Sequence, residues 1–458
     1  MARPLRIFPV SLGCVKNEAD LELALTRLTD AGHALAASLR MADVALVNTC
    51  AFTDDARRES RAAINDLERA ADRGVTVVVM GCLVQHARQR LLADFPWVAA
   101  AVGPGSVAQL PAVLARARAG ARPLLCGGLH KPPAGQPTVK LTPRHYSYLR
   151  IAEGCDNRCH YCIIPDLRGG LRSRLPREII SEARRRLAEG ARELILAAQD
   201  TANYGTDLAP RGSLPELLTE LAALDGEFWL RVLYAHPAHV TDELLAVMAR
   251  ETKIVKYLDM PLQHSHPAVV KAMGRPALDA LALVRRVRAA VPGIALRTTL
   301  MVGFPGEGEE EFAALTEFVR AARFERLGLF AFQPQPGTPA FNRTGHLDPE
   351  LKEQRRQTLW RLQEETSEER NRALVGQTLT VLVDAREGDR FRARTVADAP
   401  EIDQTVTVRG TCRVGVFTQV TVTGAEAFAL QARVTGRTAP RTDKKQSARM
   451  PAGRRARS

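Results

Sequence analysis

Aromatic side chains are scarce in the 458-residue chain, at 5%, and no apolar run approaches the ~18 residues that a membrane-crossing helix requires. Neither a GxGxxG nor a P-loop pattern occurs, so dinucleotide and nucleoside-triphosphate chemistry lack their phosphate cradle. The opening MARPLRIFPVSLGC is interrupted by Pro4, Arg6 and Pro9 and holds no signal-peptide apolar segment. These absences predict a cytoplasmic protein with no membrane association. Cysteines number only eight, and in a reducing compartment they do not form a disulfide framework. With 45% hydrophobic and 25% charged residues, wholesale disorder is excluded.

Net charge is +13, which favours an anionic partner. Part of it is local. Arg441, Lys444, Lys445, Arg449, Arg454, Arg455 and Arg457 against Asp443 give the last 18 residues +6, leaving +7 on the remainder. Residues 438–458 read as a disordered basic tail.

A length three times the ~150 residues of a typical domain predicts two to four domains. Over 5–120, apolar strand-length runs (6–13, 43–50, 75–82, 97–103) alternate with amphipathic stretches (17–31, 54–73, 84–94). That alternation predicts an N-terminal parallel α/β domain. Residues 121–145, with Pro123, Pro132, Pro133, Pro137 and Pro143, read as a linker. From 146 to 347, strands at 146–152, 193–199, 228–234, 257–263, 295–304 and 326–333 alternate with helices at 176–189, 214–224, 242–251, 267–290 and 309–323. Six such units predict an open partial (βα)6 barrel, two short of closure. Asp348-Pro349 predicts an N-cap and first turn for a charged connecting helix over 348–374. Five short alternating strands within 375–437 predict a small antiparallel β-barrel.

The cysteines carry the chemistry. Cys14, Cys50 and Cys82 each fall at or just past the carboxyl end of a different strand, the edge where open α/β sheets hold ligands. Cys155, Cys159 and Cys162 form C-x-x-x-C-x-x-C in GCDNRCHYC, after the first barrel strand. Structural zinc takes four ligands, and His160 inside the loop is the nearest fourth. A 4Fe-4S cluster normally takes four thiolates, so three leave one iron open to a substrate or cofactor. Cys126 and Cys412 have no such company and receive no ligand role.

With that spacing at that position, the chain resembles the radical S-adenosylmethionine (SAM) superfamily. The resemblance implies that the open iron binds the amino and carboxylate groups of SAM, whose reductive cleavage yields methionine and a 5′-deoxyadenosyl radical. It places Tyr161 near the adenine, with plain packing as the alternative. It also implies that MVGFPGE (301–307), with Gly303 and Gly306, lines the SAM site, otherwise an ordinary βα turn, and that Gln199 and Arg297 contact SAM.

The preceding α/β domain with its three strand-end cysteines, and a final module similar to a TRAM domain, extend the likeness to the methylthiotransferases over about residues 5–437. In that family Cys14, Cys50 and Cys82 would hold a second 4Fe-4S cluster, and each turnover would consume two SAM. One branch, the MiaB type, modifies an adenosine derivative in tRNA. The other, the RimO type, modifies the β-carbon of an aspartate in small-subunit ribosomal protein S-twelve. The strings SLGCVKN (11–17), AEGCDNRCHYCIIP (152–165), AAQDTANYGTD (197–207), YLDMPLQH (257–264) and VADAPEID (396–403) resemble the second branch. The tRNA branch tends to have Gln-Met-Asn where this chain has Val15-Lys16-Asn17. Val15 stands where proline is expected, and Gly170 where a basic residue is usual.

The resemblance implies an electron donor and a sulfur source outside the chain. Its TRAM-like module implies RNA contact or, in this branch, docking of the ribosomal protein, with Asp384, Asp398, Glu401 and Asp403 as candidate contacts. His236, His239, His264 and His266 lie near barrel strand ends and read as polar packing, so no acid or base is assigned.

Overall fold

The computed structural model describes residues 3–127, 129 and 138–435; Pro132, Pro133, Pro137 and the basic tail 438–458 lie outside them. Six parallel strands form the N-terminal sheet: β1 (Arg6–Ser11), β2 (Ala34–Leu35), β3 (Val44–Thr49), β4 (Thr76–Gly81), β5 (Val98–Val102) and β6 (Leu124–Leu125), in the order β2-β1-β3-β4-β5-β6. Every residue of β3 is buried because helices cover both faces. Leu46 joins a cluster with Leu21 and Leu25, whereas its neighbour Val47 joins one with Ile64 and Val79 on the opposite face. Strand order reverses between β1 and β3, which makes their carboxyl ends a switch point.

The two-residue strands β2 and β6 escape the sequence pattern. β6 lies inside the 121–145 stretch, so part of the expected linker is an edge strand. Stretch 84–94 breaks at Arg88 (φ +50°) into helices Cys82–Ala87 and Gln89–Asp94.

A second parallel sheet comprises β7 (Tyr146–Arg150), β10 (Glu193–Ala197), β11 (Trp229–Val232), β12 (Ile254–Asp259), β13 (Ala295–Val302) and β14 (Arg326–Ala331). They run in sequential order without closing, an open (βα)6 barrel. Between the first two, β8 (Ala152–Glu153) and β9 (Arg172–Ser173) pair antiparallel and bracket the cysteine loop. The expected helix over 267–290 is two, Pro267–Ala272 and Ala280–Ala290. Gly274 at φ +69° and Pro276 stop the first, and Asp279 caps the second by accepting from the Ala282 N–H at 2.9 Å. The break has a use: the Met273 carbonyl is free to accept from the His160 N–H in the cysteine loop at 2.8 Å.

Helix Pro349–Arg372 joins this barrel to the last module. Asp348 occupies its N-cap and Pro349 its first turn, but the Asp348 carboxylate accepts no cap hydrogen bond. The last module is a closed barrel of β15 (Thr378–Glu387), β16 (Arg390–Thr395), β17 (Thr405–Arg409), β18 (Phe417–Glu426) and β19 (Ala429–Val434). It is not wholly antiparallel, because β17 and β19 pair parallel. Alternating directions cannot close a ring of five strands, so at least one parallel pair is unavoidable.

The loop from β16 to β17 enters the open (βα)6 barrel. Asp398 pairs with Arg326 at 2.5 Å, and Asp403 with Arg297 at 3.4 Å. Tyr257 donates to Asp403 at 2.7 Å and Tyr146 to Glu401 at 2.9 Å. Asp384 is held by Arg394 and His145, at 2.7 and 2.9 Å. The four acids suggested as docking contacts for a ribosomal protein are thus engaged within the chain. Inward-facing arginines of the barrel wall need counterions when buried, and this loop supplies them.

Candidate iron–sulfur and cofactor site

Strand ends bring the three dispersed cysteines together. Register aligns Asn48 with Met80 and Thr49 with Gly81, so Cys50 and Cys82 leave the sheet side by side. A Cβ on Gly13 would lie 2.9 Å from Cys50 Cβ, which places the Cys14 turn against Cys50. Cys14 caps helix Val15–Asp30, its carbonyl accepting from the Asn17 and Glu18 N–H groups at 2.8 and 3.2 Å. Ser60 clamps the Cys50 backbone, accepting from its N–H at 3.0 Å and donating to its carbonyl at 2.9 Å. Asn17, buried at the centre, donates to the carbonyls of Leu12 and Thr49 at 3.2 and 3.0 Å.

Electrostatics distinguish the three thiols. Burial opposes ionisation of Cys14, but Lys16, Arg168 and the Asn17 and Lys16 N–H groups together bring its thiol below the ordinary value. Burial pushes Cys50 up, and pushes Cys82 up to about 12. Cys14 lies in a crowded turn that desolvates its thiol while the residue still reaches the surface, whereas Cys50 and Cys82 are buried. Arg168 donates to Cys82 Sγ at 3.4 Å and to Asn17 Oδ1 at 2.5 Å.

The second trio lies in one loop. The Cys155 N–H donates to the Gly169 carbonyl at 3.0 Å and closes the loop on its own exit. A Cβ on Gly154 would overlap the Gly170 carbonyl, and one on Gly170 would lie 2.7 Å from Asp156 Oδ1. The second contact gives Gly170, the departure noted in the sequence, a local reason. Asn157 bridges Cys155 Sγ (3.4 Å) and Asp200 Oδ2 (2.7 Å). Burial and then the Asp200 charge raise Cys155, and burial pushes Cys162 up to about 12. His160 is held at Nδ1 by the Ala272 carbonyl (2.9 Å) and packs on Gly274, which gives it a structural role apart from the thiols.

A buried ionic bridge connects the trios. Arg168 pairs with Asp20 at 2.7 Å and with Glu153 at 3.1 Å, and Arg150 pairs with the same two carboxylates. Two cations and two anions cancel. Glu153 sits two residues before Cys155, whereas Asp20 lies on the helix that Cys14 caps. The sequence reading missed all four, because Asp20 lies 130 and 148 residues from its two cations and such separations leave no spacing signal.

The residues expected near SAM are placed as follows. Gln199 donates to Glu153 at 2.7 Å, and its buried Oε1 has no partner among the described residues. The Tyr161 hydroxyl accepts from Arg275 at 2.9 Å while its ring packs edge-on against Phe304. Arg297 lies early in β13 and is committed to Asp259 (3.1 Å) and Asp403. Gly303 (φ +74°) lies against the Lys352 side chain, whereas Gly306 (φ +100°) faces open space. Glu307 of the same turn meets Arg355 at 2.7 Å and lies 3.3 Å from His264 Nε2.

Among the described residues, Asp200, His236 and His239 have ligand atoms within 4.8 Å of one another. Both Asp200 oxygens are already used, by the His236 N–H (3.1 Å) and by Asn157 and His239 (2.7 Å each). Burial, reinforced by Arg275, lowers His236 to about 3 and keeps it neutral. Asp200 thus gathers the His236 backbone N–H, the His239 ring and Asn157 behind Cys155.

Three family models match: Uncharacterized protein family UPF0004 over residues 6–103, the Radical SAM superfamily over 149–319 and the TRAM domain over 375–435. The fold is also that of the radical SAM methyltransferase TsrM from Kitasatospora setae, at TM-score 0.53 and 18% identity over 73% of this chain and 74% of that one. A three-cysteine loop on an open (βα)6 barrel, within the matched region, defines a radical SAM protein.

The relatives narrow the class. "Ribosomal protein uS12 methylthiotransferase RimO" of Desulforudis audaxviator is 42% identical over 94% of this chain and 98% of its own length. Proteins of the same name from Anaeromyxobacter sp. (43%; 94% and 93%) and Thermotoga maritima (39%; 90% and 95%) are comparably similar. The chain belongs to the RimO family of radical SAM methylthiotransferases.

Proposed function

We propose that this protein adds a methylthio group to the β-carbon of an aspartate in ribosomal protein uS12. The observation that carries the reading is the pair of cysteine trios on two sheet edges, joined through Arg168. Its RimO relatives weigh against the tRNA alternative.

Cys155, Cys159 and Cys162 would hold one 4Fe-4S cluster and Cys14, Cys50 and Cys82 the other, and three thiolates each would leave one iron without a protein ligand. Bound SAM and the clusters supply the radical that removes a substrate hydrogen, together with the sulfur and the methyl group that are transferred. The chain's own residues hold and orient. Arg168 offsets thiolate charge at Cys82 and fixes the N-terminal trio against the barrel. Asn157 donates to Cys155 Sγ and is itself oriented by Asp200. The free Gln199 Oε1 and the open turn at Gly306 suit a polar cofactor beside the barrel trio. Electrons and sulfur would come from outside the chain, and a ribosomal-protein substrate fits work in the cytoplasm. No helix among the described residues is long and apolar enough to cross a membrane.

Mass spectrometry of uS12 from a strain lacking the gene tests the reading. Loss of a methylthio-aspartate, restored by the intact gene, is the expected result. Unchanged uS12 together with a lost tRNA methylthio-adenosine would overturn it.

A further inference from the structure

Beside the N-terminal trio stands a cation whose anionic neighbour is the Cys14 thiol. Lys16, two residues beyond Cys14, reaches across to the barrel, where its Nζ lies 3.5 Å from the centroid of the Tyr234 ring. Among the described residues no carboxylate pairs with it. The neighbouring cations differ: Arg168 and Arg150 share Asp20 and Glu153, and Arg297 holds Asp259 and Asp403. Asp259 is spent, since its other oxygen accepts from the Tyr234 N–H at 3.1 Å.

The platform under Lys16 is held in place at a conformational cost. Tyr234 has φ +60°, a region that bulky side chains rarely occupy. The Asp259 contact on its N–H, and its own carbonyl accepting from the Thr201 N–H at 3.0 Å, keep it there. The ring packs with Val15 and Tyr148 in one cluster, and Tyr148, 6% exposed, buries a hydroxyl that has no partner among the described residues. An ammonium on an aromatic face is attracted by about 0.5–2 kcal/mol, but the ring brings no neutralising charge. An anionic ligand would therefore gain from Lys16 without displacing a carboxylate.

The geometry points to Lys16 as the residue that binds the side-chain carboxylate of the target aspartate. This deepens the uS12 reading and rests on it. The carboxylate is bonded to the β-carbon only through its own γ-carbon, so fixing it beside Cys14 also fixes where the β-carbon lies. An asparagine in its place would offer the ammonium no carboxylate charge, which makes Lys16 a specificity determinant.

The test uses anaerobic holoenzyme, SAM and a synthetic peptide spanning the uS12 target aspartate, alongside the same peptide with asparagine there. Peptide binding is read by fluorescence anisotropy, and methylthiolation by mass spectrometry. Lys16→Met is expected to keep wild-type iron content, to weaken the aspartate peptide by about 10- to 100-fold in Kd and KM, and to lose the preference over asparagine. Lys16→Arg should retain that preference. A Lys16→Met protein that still prefers aspartate by the wild-type ratio overturns the proposal. If the wild-type holoenzyme modifies neither peptide, the uS12 reading falls and the proposal falls with it.

Discussion

The two cysteine sites reach a similar ligand set by opposite routes. Cys155, Cys159 and Cys162 lie within eight residues and are organised by their own loop, which the Cys155–Gly169 hydrogen bond closes. Cys14, Cys50 and Cys82 span 69 residues and meet only because β1, β3 and β4 are neighbours in register. Their surroundings differ as well. Arg168 and Lys16 stand by the dispersed trio, whereas the barrel trio has both signs beside it, Asp200 acting on Cys155 and Arg275 on Cys159 and Cys162. A local site survives strain elsewhere, while a dispersed site depends on the whole sheet and on what braces it.

Cysteine substitutions break the comparison most sharply. Replacing any of the six by alanine is expected to abolish methylthiolated product. Loss from the N-terminal trio should leave 5′-deoxyadenosine formation intact, and loss from the barrel trio should remove it; chromatography of the two products checks this. Arg168→Ala comes next. It leaves Asp20 and Glu153 with one cation between them, at a cost of about 3–5 kcal/mol. Thermal unfolding should report that loss, and anaerobic iron analysis should show the N-terminal site emptied with the barrel site kept.

Asn157→Ala removes one N–H···S hydrogen bond. The barrel cluster should persist but at a more negative midpoint potential, because such bonds stabilise the reduced state; an EPR-monitored titration reads it. The smallest effect is expected at Cys126 and Cys412, which lie in apolar clusters of the N-terminal sheet and the closed barrel. Serine at either should leave iron content and product unchanged.

The sequence displayed the framework because buried parallel strands are near-continuous apolar runs, and because thiols at strand ends are conspicuous. It concealed whatever depends on partners distant along the chain. The Asp20–Arg150–Glu153–Arg168 bridge is invisible to local spacing. The acidic 396–403 loop has the composition of a solvated turn, yet it meets Arg297 and Arg326 inside the barrel. Arg297, expected at the cofactor, pairs with Asp403 of that loop and with Asp259. The break at Gly274 was hidden by helical periodicity on both sides, although Gly274 and Pro276 mark it. Edge strands of two residues, such as β2 and β6, are too short to show alternation at all.

Iron content of the triple variant Cys14→Ala, Cys50→Ala, Cys82→Ala, reconstituted anaerobically beside the wild type, tests the central claim most directly. Two independent clusters predict about eight irons per wild-type chain and about four in the variant. Equal iron in the two proteins would contradict the assignment of a second cluster to the N-terminal sheet.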